Sequence, residues 1–135
     1  MTDWIRSQTP SGSSDELGPL QLAWLGDAVW EMHHRLRQCH RPRRSKDLHH
    51  DVVQEVKAAA QAKALLFLEP YLSDVEINLV RRGRNKSGRG PRNGDPAIYA
   101  KATGFETMIG WLFLKNPQRL AQLLDRLEES ESQIQ

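Results

Sequence analysis

A chain of 135 residues with a formal net charge of +2 fits a single domain with a modest core. Its longest apolar run, residues 58–68, is interrupted by Gln61 and Lys63, and the chain starts without an apolar stretch, so we expect neither a membrane span nor a signal peptide. The single cysteine, Cys39, excludes an internal disulfide and has no partner cysteine for a metal site. These features predict a cytoplasmic protein.

The N-terminal residues 1–16 are rich in Ser, Thr, Gly and Pro and are predicted to be a mobile arm. One domain is expected over residues 17–130, followed by a short tail at 131–135. Pro19 is typical of the first turn of a helix, which we expect to extend to about Gln38. One face of this helix carries apolar residues at helical spacing, namely Leu22, Leu25, Val29, Met32 and Leu36.

After a basic connection at residues 39–44, Ser45 is a predicted N-cap for a second helix. An alanine-rich helical segment, residues 57–68, ends before Pro70. The capping-box pattern at residues 73–76 then predicts a short helix that ends at Val80.

Residues 81–94 contain four glycines and a proline and are interpreted as a basic, glycine-rich loop. Asp95-Pro96 is expected to begin a helix that ends near Asn116, where a final amphipathic helix begins. No alternating strand pattern is present, so the sequence predicts an all-α fold, a bundle of five to seven helices.

Positive charge is concentrated in two stretches, residues 35–46 and 81–92, which hold 12 of the 19 lysines and arginines and no acidic residue. Acidic residues collect elsewhere, notably at residues 125–131 near the end of the chain. Because each basic stretch has one sign of charge only, the distribution favours a polyanion-binding surface over ordinary solvated loops.

Two largely apolar segments each carry a carboxylate near glycine: Asp27 follows Gly26, and Glu106 lies before Gly110. A glycine inside a helix costs about 1 kcal/mol relative to alanine, which points to a close backbone approach or a site. Mg²⁺ binds through one or two carboxylates and keeps several waters, so Asp27 and Glu106 are candidate ligands of one metal. Glu31 shares the Asp27 face one turn away. The alternative, that each carboxylate faces solvent or pairs with an arginine, stays open.

Such a metal beside a basic surface would support phosphodiester hydrolysis. Other chemistries have less support: the adjacent histidine pairs at 33–34 and 49–50 diverge on a helix, and residues 83–88 lack Walker spacing. Trp24 and Trp30 are candidates for a dimer interface.

In combination, these motifs resemble the ribonuclease III family, and most closely its short form, Mini-ribonuclease III. Residues 25–28 (LGDA) resemble the centre of the family signature, and residues 105–110 (FETMIG) resemble its second acidic helix. The resemblance covers roughly residues 17–127, and the matching segments occur in the family's order: 22–31, 47–49, 60–62, 81–88 and 103–106.

The resemblance implies an all-α endonuclease domain that forms a homodimer and cleaves double-stranded RNA with Mg²⁺, for which Mn²⁺ would substitute. It also implies a role in maturing ribosomal RNA precursors, the 23S precursor in particular. By position, Asp27 matches the signature aspartate and Glu106 the essential glutamate of the second helix. Two further carboxylates of full-length ribonuclease III are replaced by Ala23 and Thr103, a reduced set that the short form shares. Glu31 is the candidate helper for holding a second metal.

A chain without a separate RNA-binding domain must hold the duplex with its catalytic domain, mainly through the RNA backbone. We therefore expect the 81–94 loop to contact RNA through Arg82, Arg84, Asn85, Lys86 and Arg89. Two alternatives stay open: a non-catalytic double-stranded-RNA-binding or ribosome-assembly module on the same fold, and a helical interaction domain for an acidic protein partner.

Overall fold

Helices make up most of the part of the chain that the structure describes. The computed structural model describes residues 3–9, 17–40 and 54–134, and every regular element within these ranges is helical. The helices are α1 (Trp4–Ser7), α2 (Pro19–Cys39), α3 (Gln54–Leu68), α4 (Asp74–Lys86), α5 (Pro96–Lys115) and α6 (Pro117–Ile134), with a 3-10 turn at Glu69–Tyr71. The all-α prediction is confirmed.

Capping interactions explain why α4 and α5 begin where the sequence predicts. The Ser73 hydroxyl accepts a hydrogen bond from the Glu76 amide at 3.2 Å, and the Glu76 carboxylate accepts one from the Ser73 amide at 2.8 Å. At the start of α5, the Asp95 carboxylate accepts a hydrogen bond from the Ala97 amide at 2.8 Å. These bonds satisfy amide groups that the first turn of a helix leaves without a partner.

Helix α5 lies at the centre of the fold, with α2, α3, α4 and α6 packed around it. Its residues Phe105, Met108 and Ile109 are completely buried. Trp30 of α2 packs edge-on against Phe105, with 5.0 Å between the ring centroids. Burying each such side chain contributes about 1.5–3 kcal/mol, so α5 is fixed by packing on several sides.

Two glycines bring α2 and α5 into backbone contact. A Cβ atom added to Gly26 would overlap the carbonyl oxygen of Glu106, and one added to Gly110 would overlap the carbonyl oxygen of Leu22. No side chain could move aside to relieve either overlap, because the obstructing atoms belong to the backbone of the facing helix. The pair Gly26 and Gly110 therefore allows this crossing.

A second close crossing joins α4 to α5 and corrects the prediction for residues 81–94. These residues were expected to form a loop from Arg81 onward, but α4 continues to Lys86, and only residues 87–95 connect it to α5. Gly83 is a buried helical residue: a Cβ there would overlap the side chain of Thr107, and one at Gly104 would press on the Val80 carbonyl oxygen. Gly83 thus serves helix packing rather than loop flexibility.

The predicted N-terminal arm, residues 1–16, contains a short helix in its described part. Residues 4–7 form helix α1, and the Arg6 guanidinium donates a hydrogen bond of 2.5 Å to the Phe113 carbonyl oxygen and lies 4.2 Å from the centroid of the Phe113 ring. The predicted tail at 131–135 is likewise helical through Ile134. The predicted helix start at Ser45 and the second half of the first basic stretch, residues 41–46, lie outside the described residues. No helix in the described ranges combines the length and the apolarity that crossing a membrane requires.

Gly26→Ala should destabilise the protein by more than about 3 kcal/mol, because the new methyl group has to push two helix backbones apart. Chemical denaturation followed by circular dichroism measures the change. Gly94→Ala is the matched control, since a Cβ there would lie 3.6 Å from the nearest atom, the Pro91 carbonyl oxygen. Equal stability of the two variants would show that the crossing does not depend on glycine.

Candidate metal-binding site and RNA-binding surface

The α2–α5 crossing places Asp27 beside Glu106. Asp27 follows Gly26 directly, and the Gly26 Cα faces the backbone of Glu106, so the two carboxyl groups emerge on the same side of the crossing. Both side chains line one pocket, and Asp27 is near enough to raise the pKa of Glu106. The Asp27 side chain keeps 42% of its surface exposed, whereas Glu106 is partly buried. The structure therefore brings together the two carboxylates that the sequence singles out.

Helix α3 adds two polar side chains that sequence reasoning missed. The Lys57 ammonium forms ion pairs with Oδ1 of Asp27 and, at 3.0 Å, with Oε1 of Glu31. One turn further along, the buried Gln61 amide donates a hydrogen bond of 3.1 Å to Oε2 of Glu106. The available signal was their four-residue spacing, which places both on one face of an alanine-rich helix.

Burial and a neighbouring charge make the Glu106 carboxyl group a weaker acid than usual. Its pKa is raised to about 8, first because burial disfavours the charged carboxylate and then because Asp27 lies beside it. Gln61 and Lys57 favour the charged form but do not outweigh these effects. Burial alone would lower the pKa of Lys57, but Asp27 and Glu31 raise it above its ordinary value, so the ammonium is charged at neutral pH.

A pocket of about 340 Å³ opens in front of these groups. Helices α2, α3 and α5 form one side of it, and the connection before α5 forms the other. Its polar lining consists of Asp27, Lys57, Gln61, Asn93, Asp95, Tyr99, Thr103 and Glu106. Gly90 lets the connection reach this position: its φ of +81° is strained for other residues, and a Cβ would collide with the Tyr99 ring.

The donor set fits a single hard divalent cation. Asp27 and Glu106 offer carboxylate oxygens at one point of the pocket, and Mg²⁺ needs only one or two protein carboxylates because it retains several waters. A cation there would also favour the charged form of Glu106, which burial and the neighbouring Asp27 disfavour. Within the described ranges no group of three or more His, Cys, Asp or Glu side chains converges on one point. The predicted helper Glu31 pairs with Lys57 and, at 3.7 Å, with Arg35.

All five predicted RNA contacts are exposed, although four of them lie on a helix rather than in a loop. The last turns of α4 carry Arg82, Arg84, Asn85 and Lys86, and the connection that follows carries Arg89. Arg89 folds back on that connection, where its guanidinium donates hydrogen bonds of 2.7 and 3.3 Å to the carbonyl oxygens of Pro91 and Arg92. Residues 82–86 thus form a basic helix end whose continuation lines the pocket.

Comparison with known proteins identifies the class of the chain. The sequence profile of the Ribonuclease III domain matches residues 20–117. A crystal structure of a protein from Fusobacterium nucleatum superposes with a TM-score of 0.76, covering 89% of this chain and 99% of that one; at 24% identity, this likeness speaks for the fold alone. The chain therefore belongs to the ribonuclease III family and is an endoribonuclease.

Its more similar relatives specify the branch of the family. Mini-ribonuclease 3 of Synechococcus sp. is 45% identical over 119 residues, which cover 88% of this chain and 86% of the relative. Mini-ribonuclease 3 of Gloeobacter violaceus is 49% identical over 108 residues, which cover 80% of each chain. The resemblance to the short form, first drawn from the motifs around Asp27 and Glu106, is confirmed.

Proposed function

We propose that the protein is a homodimeric, Mg²⁺-dependent endoribonuclease that cleaves double-stranded RNA in the cytoplasm. The observation that carries the proposal is the pairing of Asp27 with Glu106 in a pocket bordered by a basic helix end. The family resemblance further suggests ribosomal RNA precursors, including the 23S precursor, as substrates. Mn²⁺ is expected to replace Mg²⁺, since both accept carboxylate and water ligands.

The residues in and beside the pocket have different roles in the proposed hydrolysis. Asp27 and Glu106 would hold the cation, which when bound lowers the pKa of a coordinated water and offsets charge on the phosphodiester. Gln61 fixes the orientation of the Glu106 carboxylate through its hydrogen bond of 3.1 Å. The basic end of α4 would bind phosphates on either side of the cleaved bond, which orients the RNA backbone in the pocket.

Asp27→Asn and Glu106→Gln should each lower the rate of cleavage of a long RNA duplex by more than about 100-fold, because each removes a proposed metal ligand. Cleavage is measured with and without Mg²⁺ on purified protein. Asp125→Asn makes the same chemical change at an exposed position of α6 and should leave the rate unchanged. Undiminished cleavage by Asp27→Asn and Glu106→Gln would contradict the proposed metal site. A parent protein that binds the duplex without cutting it would favour the non-catalytic alternative.

The proposed RNA surface predicts a change in salt dependence. In Ca²⁺ and on an Asp27→Asn background, replacing both Arg82 and Lys86 by Gln should weaken duplex binding and reduce the slope of log K against log salt by roughly 2, since two phosphate contacts are lost. Fluorescence anisotropy over a range of salt concentrations gives the slope.

Replacing Lys63 and Lys115 by Gln removes the same charge from exposed positions on α3 and α5. This control variant should keep the parent slope. If both double variants lose the same slope, the RNA-binding surface is not at the end of α4.

The dimer proposal rests on the outer face of α2. Trp24 is 82% exposed there, and Leu20, Met32 and Leu36 are also exposed, while the opposite face of the same helix is buried. Next to Trp24 lies an apolar groove of about 540 Å³, to which α1 contributes Trp4 and Ile5. Apolar stripes of this kind mark interaction sites, so we propose that α2 packs against its counterpart in a second copy. Trp30, the other predicted interface residue, instead belongs to the core.

Trp24→Glu should convert the dimer to a monomer, because a charge placed at the centre of an apolar interface has no partner there. Multi-angle light scattering during size exclusion gives the mass. Leu66→Glu is the control, since Leu66 is 69% exposed on α3, away from the groove. Loss of the dimer in Leu66→Glu, or its persistence in Trp24→Glu, would move the interface away from α2.

A further inference from the structure

Among the described residues that line the pocket, Lys57 is the one cation, and it pairs with two carboxylates of α2. Its side chain is only 12% exposed, and its ammonium pairs with both Asp27 and Glu31. Glu106 lines the same pocket. Taking an ammonium out of water is costly unless charged partners surround it, and here those partners are acidic groups of the site itself.

We propose that Lys57 is a positioning residue that acts as a built-in counter-ion, which the metal must displace from Asp27. In the metal-free protein, the ammonium balances the charge of Asp27. When a divalent cation binds between Asp27 and Glu106, Lys57 keeps its ion pair with Glu31. The inference rests on the proposed metal site.

The geometry supports this exchange over a direct role for Glu31 in metal binding. Lys57 and the proposed metal both need the Asp27 carboxylate, so each weakens the binding of the other. Glu31 lies one turn beyond Asp27 on α2, and its Oε1 atom is 3.0 Å from the Lys57 ammonium. A second anchor at that distance lets the ammonium leave Asp27 without becoming a partly buried, unpaired charge. Glu31 therefore acts on the metal site through Lys57.

Removing the positive charge should strengthen metal binding. Lys57→Met leaves Asp27 free of its competitor and raises the net negative charge of the pocket, so we expect the Kd for Mn²⁺ to fall at least tenfold. A purely structural lysine would give the opposite result, since damage to the pocket weakens binding. Lys57→Gln, which is smaller and polar, provides a second variant if Lys57→Met does not fold.

The experiment is titration of the full chain with Mn²⁺ in the absence of RNA, followed by electron paramagnetic resonance of the free ion. Lys63→Met is the matched control: it removes the same charge from an exposed position on the same helix and should leave the Kd within about twofold of the parent value. Asp27→Asn shows whether the ion measured is the one at the proposed site.

The role of Glu31 is tested in the same assay by a double-mutant cycle. Glu31→Gln should weaken Mn²⁺ binding in the parent, because Lys57 then stays on Asp27, and should change the Kd by less than about threefold when Lys57→Met is also present. A large loss in both backgrounds would make Glu31 a ligand and overturn its assigned role.

The measurements distinguish failure of the counter-ion proposal from failure of the proposed metal site. If Asp27→Asn abolishes Mn²⁺ binding but Lys57→Met and Lys57→Gln bind no more tightly than Lys63→Met, only the counter-ion proposal is overturned. If the parent binds no Mn²⁺ and neither Lys57 variant does, the metal site itself is wrong, and the counter-ion proposal falls with it.

Discussion

The backbone contact between α2 and α5 is the constraint on which the site depends. Gly26 and Gly110 have no side chains, so the helices approach until backbone faces backbone. Asp27 and Glu106 are each near one of these glycines, and the crossing brings both to one pocket. A larger residue at either glycine would separate the carboxylates as well as the helices. Stability and site geometry are therefore set by the same two positions.

The closeness of the two acids has an electrostatic consequence. Burial and the neighbouring Asp27 raise the pKa of Glu106 to about 8. Among the described residues that line the pocket, Lys57 alone supplies an ammonium, which pairs with Asp27 and Glu31. A site with more carboxylates than ammonium groups favours additional positive charge, which a divalent cation would provide. Its position beside a basic helix end joins the proposed chemistry to a surface suited to a polyanion.

Local sequence signals predicted much of this structure. Capping residues such as Ser73 and Asp95 located helix starts, and carboxylates within apolar helices singled out Asp27 and Glu106. Gly83 led to the wrong loop prediction for residues 81–86, because the sequence alone does not distinguish a glycine needed for close helix packing from one needed for a turn. Lys57 and Gln61 were missed because their importance depends on which face α3 turns toward α5. Trp24 and Trp30 were both predicted at the dimer interface, but they lie on different faces of α2: Trp24 is exposed, whereas Trp30 is buried in the core.

The most direct test of this account is anomalous diffraction from crystals of the protein grown with Mn²⁺. The account predicts one anomalous peak per chain, in direct contact with the carboxylates of both Asp27 and Glu106, and its loss in Glu106→Gln crystals. Mn²⁺ bound elsewhere, with Asp27 still paired to Lys57 and no peak between the two carboxylates, would contradict the claim that the helix crossing builds a metal site.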